Sequence, residues 1–108
     1  MFAKKSLGQN FLISEAPVRK MIEECNVNEK DTVLEIGPGK GILTRALLDT
    51  GAQVIAIEKD KDLLPILENT FQKEIKEGSL TLFLGDILET DISKIGLDKN
   101  YKLIANIP

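Results

Sequence analysis

The apolar residues of this chain follow two rhythms. Val18, Met21, Ile22 and Cys25 recur at the i, i+3, i+4, i+7 spacing of one helix face, with Ser14 a candidate cap for a helix running to about Cys25. Asn26 to Asp31 is polar and turn-like. "TVLEIG" from Thr32 is then a short, β-branched apolar run that suits a buried strand. "GILTRALLDTG" predicts a helix closed by Gly51, and "QVIAIE" a second strand. Asp60 is a candidate cap for one helix through "LLPILENTFQKEIK", in which Pro65 is tolerable only near the first turn. Gly78-Ser79 turns the chain into "LTLFLGD", a third strand. "ILETDISKIGLDKN" reads as a loop with a short helical turn, and "YKLIAN" as a fourth strand.

Strands that alternate with helices, each a continuous apolar run, predict a parallel sheet covered on both faces. The fold class is therefore α/β, an open sheet of Rossmann type, and 108 residues hold one domain.

Composition narrows the chemistry. The single cysteine, Cys25, forbids an internal disulfide and fits a reducing, cytoplasmic setting. There is no histidine, which excludes Ser-His-Asp and Cys-His triads in this segment and makes a metal site a poor expectation. No apolar run reaches the roughly 20 residues that span a bilayer, so no membrane partner is expected. The net charge is −3, unevenly spread. Residues 1–20 carry four basic side chains against one acidic, while the rest carry ten basic and sixteen acidic. A basic N-terminal segment can lie along phosphates, but the whole composition slightly disfavours RNA binding.

The sharpest signals sit where predicted strands end. "VLEIGPGKG" places Gly37, Gly39 and Gly41 directly after the first strand, leaving backbone without Cβ atoms beside a helix N-terminus. Lys40 is followed by Gly41-Ile42, so this is no P-loop, and Ile42 occupies the last position of a dinucleotide fingerprint. Glu58 ends the second strand, where a carboxylate can accept from ribose hydroxyls, or can simply be solvated. Asp86 ends the third, placed either to accept from an adenine amine or to cap a turn before Ile87-Leu88. On a parallel sheet these ends share one edge. Together they point to an adenosine-containing ligand, and the glycine spacing favours S-adenosylmethionine over NAD.

Three motifs then carry a resemblance. "EIGPGKG", Glu35 to Gly41, resembles the first motif of class I S-adenosylmethionine-dependent methyltransferases. "KSLGQNFL", Lys5 to Leu12, and "NIP", Asn106 to Pro108, resemble the N-terminal and catalytic motifs of the rRNA adenine N6-dimethyltransferases. Leu7-Gly8, Pro38 and Ile42-Leu43-Thr44 resemble the branch acting on 16S rRNA more than the 23S branch of macrolide resistance.

The resemblance implies a Rossmann-like methyltransferase fold with an incomplete sheet, residues 1–108 forming the N-terminal part of the cofactor domain. It implies N6-dimethylation of two adjacent adenines near the 3′ end of 16S rRNA, with S-adenosylmethionine as cofactor and a monomeric full-length form. Asn10 and Leu12 would lie against the cofactor, in a lid shaped by Gln9 and Phe11. Gly37 and Gly39 would pass beneath its methionine part. Glu58 would hold the ribose and Asp86 the adenine amine, with Ile87 beside the ring. Asn106, which would also touch the cofactor, and the Pro108 carbonyl would accept from the target amine. It further implies a chain cut inside its catalytic motif, without the later strands and the C-terminal helical domain, and inactive alone. The far edge of the fourth strand would then be unpaired and prone to self-association. The alternatives are a 23S rRNA adenine N6-methyltransferase of the macrolide-resistance type and a non-catalytic RNA-binding assembly or transcription factor on the same scaffold.

Overall fold

A computed structural model describes residues 10–13, 18–95, 97 and 100–106. The elements run β1 (Asn10–Ile13), α1 (Val18–Glu24), β2 (Thr32–Ile36), α2 (Ile42–Asp49), β3 (Gln53–Glu58), α3 (Leu64–Thr70), α4 (Gln72–Glu77), β4 (Leu80–Leu84) and β5 (Lys102–Asn106). Ser14 lies outside the described residues.

Five strands form one parallel sheet in the order β1-β5-β2-β3-β4. Parallel strands need long crossovers. Here α2 links β2 to β3, and α3 with α4 links β3 to β4. The fourth strand expected from sequence, now β5, does pair with β2, Ile36 lying opposite Ala105. Its other edge is not open, contrary to expectation. β1 covers it, Asn10 opposite Leu103 and Ile13 opposite Asn106. The apolar run "NFLI" satisfies β5's free amide and carbonyl groups, so that edge offers no site for self-association.

Period-two alternation splits the strand side chains between two layers. Val33, Val54, Ala56, Leu80 and Ile104 pack with Met21, Leu43, Leu47, Leu67 and Phe71 of the helices. Leu34, Ile55 and Ile57 face the other way, against Ile87, Ile92, Ile95, Leu97 and Tyr101. Among the described residues, then, the helices share one face. The second is roofed by the β4–β5 connection, which holds two short 3-10 turns, Ile87–Glu89 and Ile92–Lys94.

The single helix expected after Asp60 is two. The break falls at Phe71 (φ −112°, ψ 29°), whose ring is buried in the helical layer. Core burial of a large side chain overrides the helical preference of its neighbours. Pro65, the second residue of α3, sits where its missing N–H costs no bond. Asp60 closes a turn just upstream, accepting from the Asp62 amide at 2.8 Å, and does not cap α3 itself.

Candidate functional site

Because the sheet is parallel, the carboxyl ends of β2, β3, β4 and β5 meet at one edge. Beyond β2 the chain turns through Gly37 (φ 71°), Gly39 (φ 60°) and Gly41 (φ 92°), conformations that favour glycine. Gly41 has a second reason to lack a side chain. A Cβ there would stand 2.6 Å from the Phe71 ring. Arg45 holds that ring from outside, its guanidinium 4.7 Å from the centroid and its Nη1 donating to Glu74 at 2.6 Å.

Glu58 closes β3 and is 5% exposed. Its Oε1 accepts from the Gly39 amide at 3.1 Å and its Oε2 from the Asp60 amide at 2.9 Å. Two backbone donors fix the carboxylate between the glycine loop and the turn after β3. Each oxygen keeps a lone pair for a further donor. Asp86 follows β4, and its Oδ1 caps the first 3-10 turn by accepting from the Leu88 amide at 2.9 Å. The turn-capping role is therefore realised, and Oδ2 is the oxygen left for a ligand.

A cleft of about 410 Å³ opens between these ends, lined by Gly37, Ile57, Glu58, Asp86, Ile87 and Leu88 among others. Apolar walls with two carboxylates suit a flat heterocycle joined to a diol. Leu88 stands 90% exposed at its rim. Asn106 ends β5 one residue past Ala105, which puts its backbone level with Gly37. Asn10 and Leu12 lie within β1, three residues and one residue short of that strand's carboxyl end. Pro108 and residues 5–9 of the N-terminal motif, Gln9 among them, lie outside the described residues. Among the described residues no group of His, Cys, Asp and Glu could hold a metal ion, and no helix is long and apolar enough to cross a membrane.

Sequence reasoning assigned no role to Glu35, although an acid inside "TVLEIG" is an anomaly worth pursuing. It is fully buried, and its Oε1 accepts from Thr44 Oγ1 of α2 at 2.5 Å. Its Oε2 has no partner. Burial pushes its carboxyl from the ordinary 4.5 up to about 7; the Thr44 hydrogen bond opposes that and nearby Glu58 adds to it. A raised folded-state pKa gives stability that is complete below pH 4.5 and declines as pH rises to about 7. Glu35→Gln mimics the neutral acid and escapes this loss. Urea unfolding at a series of pH values should show the variant gaining roughly 3 kcal/mol on the wild type between pH 4.5 and 7. Parallel stability curves would contradict the assignment.

A model of the family described as ribosomal RNA adenine dimethylase matches residues 2–108. The "Ribosomal RNA small subunit methyltransferase A" of Clostridium botulinum (strain ATCC 19397 / Type A) is 46% identical over 106 residues, covering 96% of this chain and 37% of that protein. A crystal structure of a dimethyladenosine transferase from Plasmodium falciparum superposes with a TM-score of 0.65 at 32% identity, over 84% of this chain and 31% of that one. An RNA methyltransferase from Salinibacter ruber, in complex with S-adenosyl-L-homocysteine, gives a TM-score of 0.62 at 30% identity, over 74% and 55%. The chain thus spans little more than a third of the length of the curated relatives it matches. With a family match across nearly every residue, the chain belongs to the ribosomal RNA adenine dimethylases.

Proposed function

We propose that this chain is the S-adenosylmethionine-binding part of an enzyme that dimethylates N6 of two adjacent adenines near the 3′ end of 16S rRNA. Residues 1–108 correspond to the N-terminal portion of its methyltransferase domain, little more than a third of the length of the curated relatives. The observation that carries the reading is Glu58, fixed by amides on both oxygens at the mouth of an apolar cleft. The cradle fits the cofactor. A Cβ at Gly39 would meet nothing within 4 Å, so the loop leaves open space above it.

In this reading the free lone pairs of Glu58 accept from the ribose diol, and Asp86 Oδ2 accepts from the adenine amine. Ile57 and Ile87 cover the ring. Gly37 and Gly39 let the methionine part approach the backbone. When bound, S-adenosylmethionine supplies an electrophilic methyl group on a cationic sulfur.

Asn106 and the Pro108 carbonyl then act on the substrate. An exocyclic aromatic amine is a weak nucleophile because its lone pair is delocalised into the ring. Two fixed acceptors on its hydrogens draw the nitrogen out of plane and localise that pair. Asn106 ends β5 with its backbone level with Gly37, so positioning and exclusion of water supply most of the rate. A bound S-adenosylmethionine would need no acid from this chain, since its sulfur is already cationic, and the proton shed by the methylated amine would pass to water. The missing histidines are no obstacle.

Calorimetric titration with S-adenosylmethionine and NADH tests the reading. The expected result is binding of the first alone, weakened about 30-fold or more in Glu58→Ala through loss of charged hydrogen bonds. NADH binding, or indifference to Glu58→Ala, would overturn it.

A further inference from the structure

Glu35 holds the one oxygen among the described buried side chains that lacks a hydrogen-bond partner. An apolar residue would fill this place at no desolvation cost. The acid stands two residues before Gly37, on the strand that leads into the glycine loop. Its register partner in β3 is Ala56, so Glu58, two residues on, projects from the same face of the sheet. Two buried carboxyls thus flank the loop.

The other charged groups around Glu35 are directed elsewhere. On α2, Thr44 supplies its single hydrogen bond, and Arg45 turns outward to Glu74. On β5, the register partner is Ile104, and Lys102 on the same face sends its ammonium to Cys25, Asn26 and Asp31 at the strand's other end. α1 buries Met21, while Arg19, Lys20, Glu23 and Glu24 are exposed. Among the described residues no cation compensates Glu35.

We propose that Glu35 exchanges a proton with solvent in step with the cofactor site, giving it up when the cationic cofactor binds and keeping it when the uncharged product is bound. The inference rests on the S-adenosylmethionine reading above. The cofactor and its demethylated product differ by one positive charge, that of the sulfonium. A cation entering at the glycine-loop end favours the ionised form of Glu35. The proton passes to buffer, and no bond in the cofactor changes. Coupling is reciprocal, so the cofactor binds more tightly once Glu35 is ionised. Product affinity lacks this gain, which gives the site a charge-based means of releasing product.

The test is calorimetric titration with S-adenosylmethionine and S-adenosylhomocysteine at pH 6, 7 and 8, in phosphate and in Tris. The two buffers differ in ionisation enthalpy, so the difference in heat counts protons released. The cofactor's own amine also titrates near this range; the informative quantity is therefore wild type minus Glu35→Gln. The expected result is a release of about half a proton at pH 7, present for the cofactor, absent for the product and absent in the variant. The ratio of product to cofactor dissociation constants should rise about three- to tenfold from pH 6 to 8. Thr44→Val, which removes the one bond favouring the ionised form, should move the release to higher pH, and it serves if Glu35→Gln does not fold. Equal proton release in folded wild type and Glu35→Gln, or the same release with product, overturns the proposal while leaving the cofactor reading intact. No binding of either ligand at any pH overturns both.

Discussion

Truncating Phe71 to alanine is expected to destabilise the chain by about 4 kcal/mol, the middle of the range for loss of a large buried ring. The ring is 1% exposed and packs in the helical layer with Leu43, Leu47 and Leu67. It also forms the wall against which Gly41 turns. Urea unfolding should show a lower midpoint with an unchanged slope. A double-mutant cycle isolates the contact with the loop. In the wild type, Gly41→Ala meets both the ring at 2.6 Å and a backbone φ of 92°. In Phe71→Ala the backbone strain and a 3.3 Å approach to Leu67 Cδ2 remain, but the ring is gone. The two substitutions should therefore couple by at least about 1 kcal/mol. Strict additivity would show that the ring does not shape the loop.

Lys102→Met is expected to cost about 3 kcal/mol, because it leaves buried acceptors without their cation. The ammonium reaches the Cys25 and Asn26 carbonyls at 2.8 and 2.7 Å and Asp31 Oδ2 at 2.9 Å. Those carbonyls lie just past the C-terminus of α1, where a cation also complements the helix dipole. One side chain thereby ties α1 to β5 and to the turn before β2. Methionine keeps the apolar stem and loses all three hydrogen bonds. Asp31→Asn, which leaves the carbonyl contacts in place, should cost about 1 kcal/mol. The effect should persist in salt, since the charges are largely sheltered from solvent. Lys102 lies at the amino end of β5, four residues and about 13 Å from Asn106, so cofactor affinity should not change. A loss below 1 kcal/mol, or one that vanishes in salt, would mean the cation is not buried as described.

Both predictions turn on residues that the linear pattern treats as ordinary. Phe71 falls inside a helical run, and nothing in the sequence announces that its ring meets a glycine thirty residues earlier. Lys102 reads as the polar start of a strand, and its three acceptors lie more than seventy residues away. Glu35 is the intermediate case. An acid inside an apolar strand is visible in the sequence, but its solitary bond to Thr44 and its unpartnered oxygen exist only once α2 lies across β2.

What the sequence determined by itself is local. Continuous apolar runs separated by helical periodicity dictate parallel strands, because such runs must be covered on both sides. Glycines that need positive φ mark the loop, and Glu58 and Asp86 fall at strand ends by counting alone. Tertiary structure decided what depends on distant segments meeting. It put β1 along the edge of β5 that local reasoning left bare, since pairing energy is invisible until the two strands are adjacent. It broke one helix into two to bury Phe71. It gave Asp86 a cap to make and Glu58 two amides to accept, which turned a pair of strand-end acids into a rigid cleft.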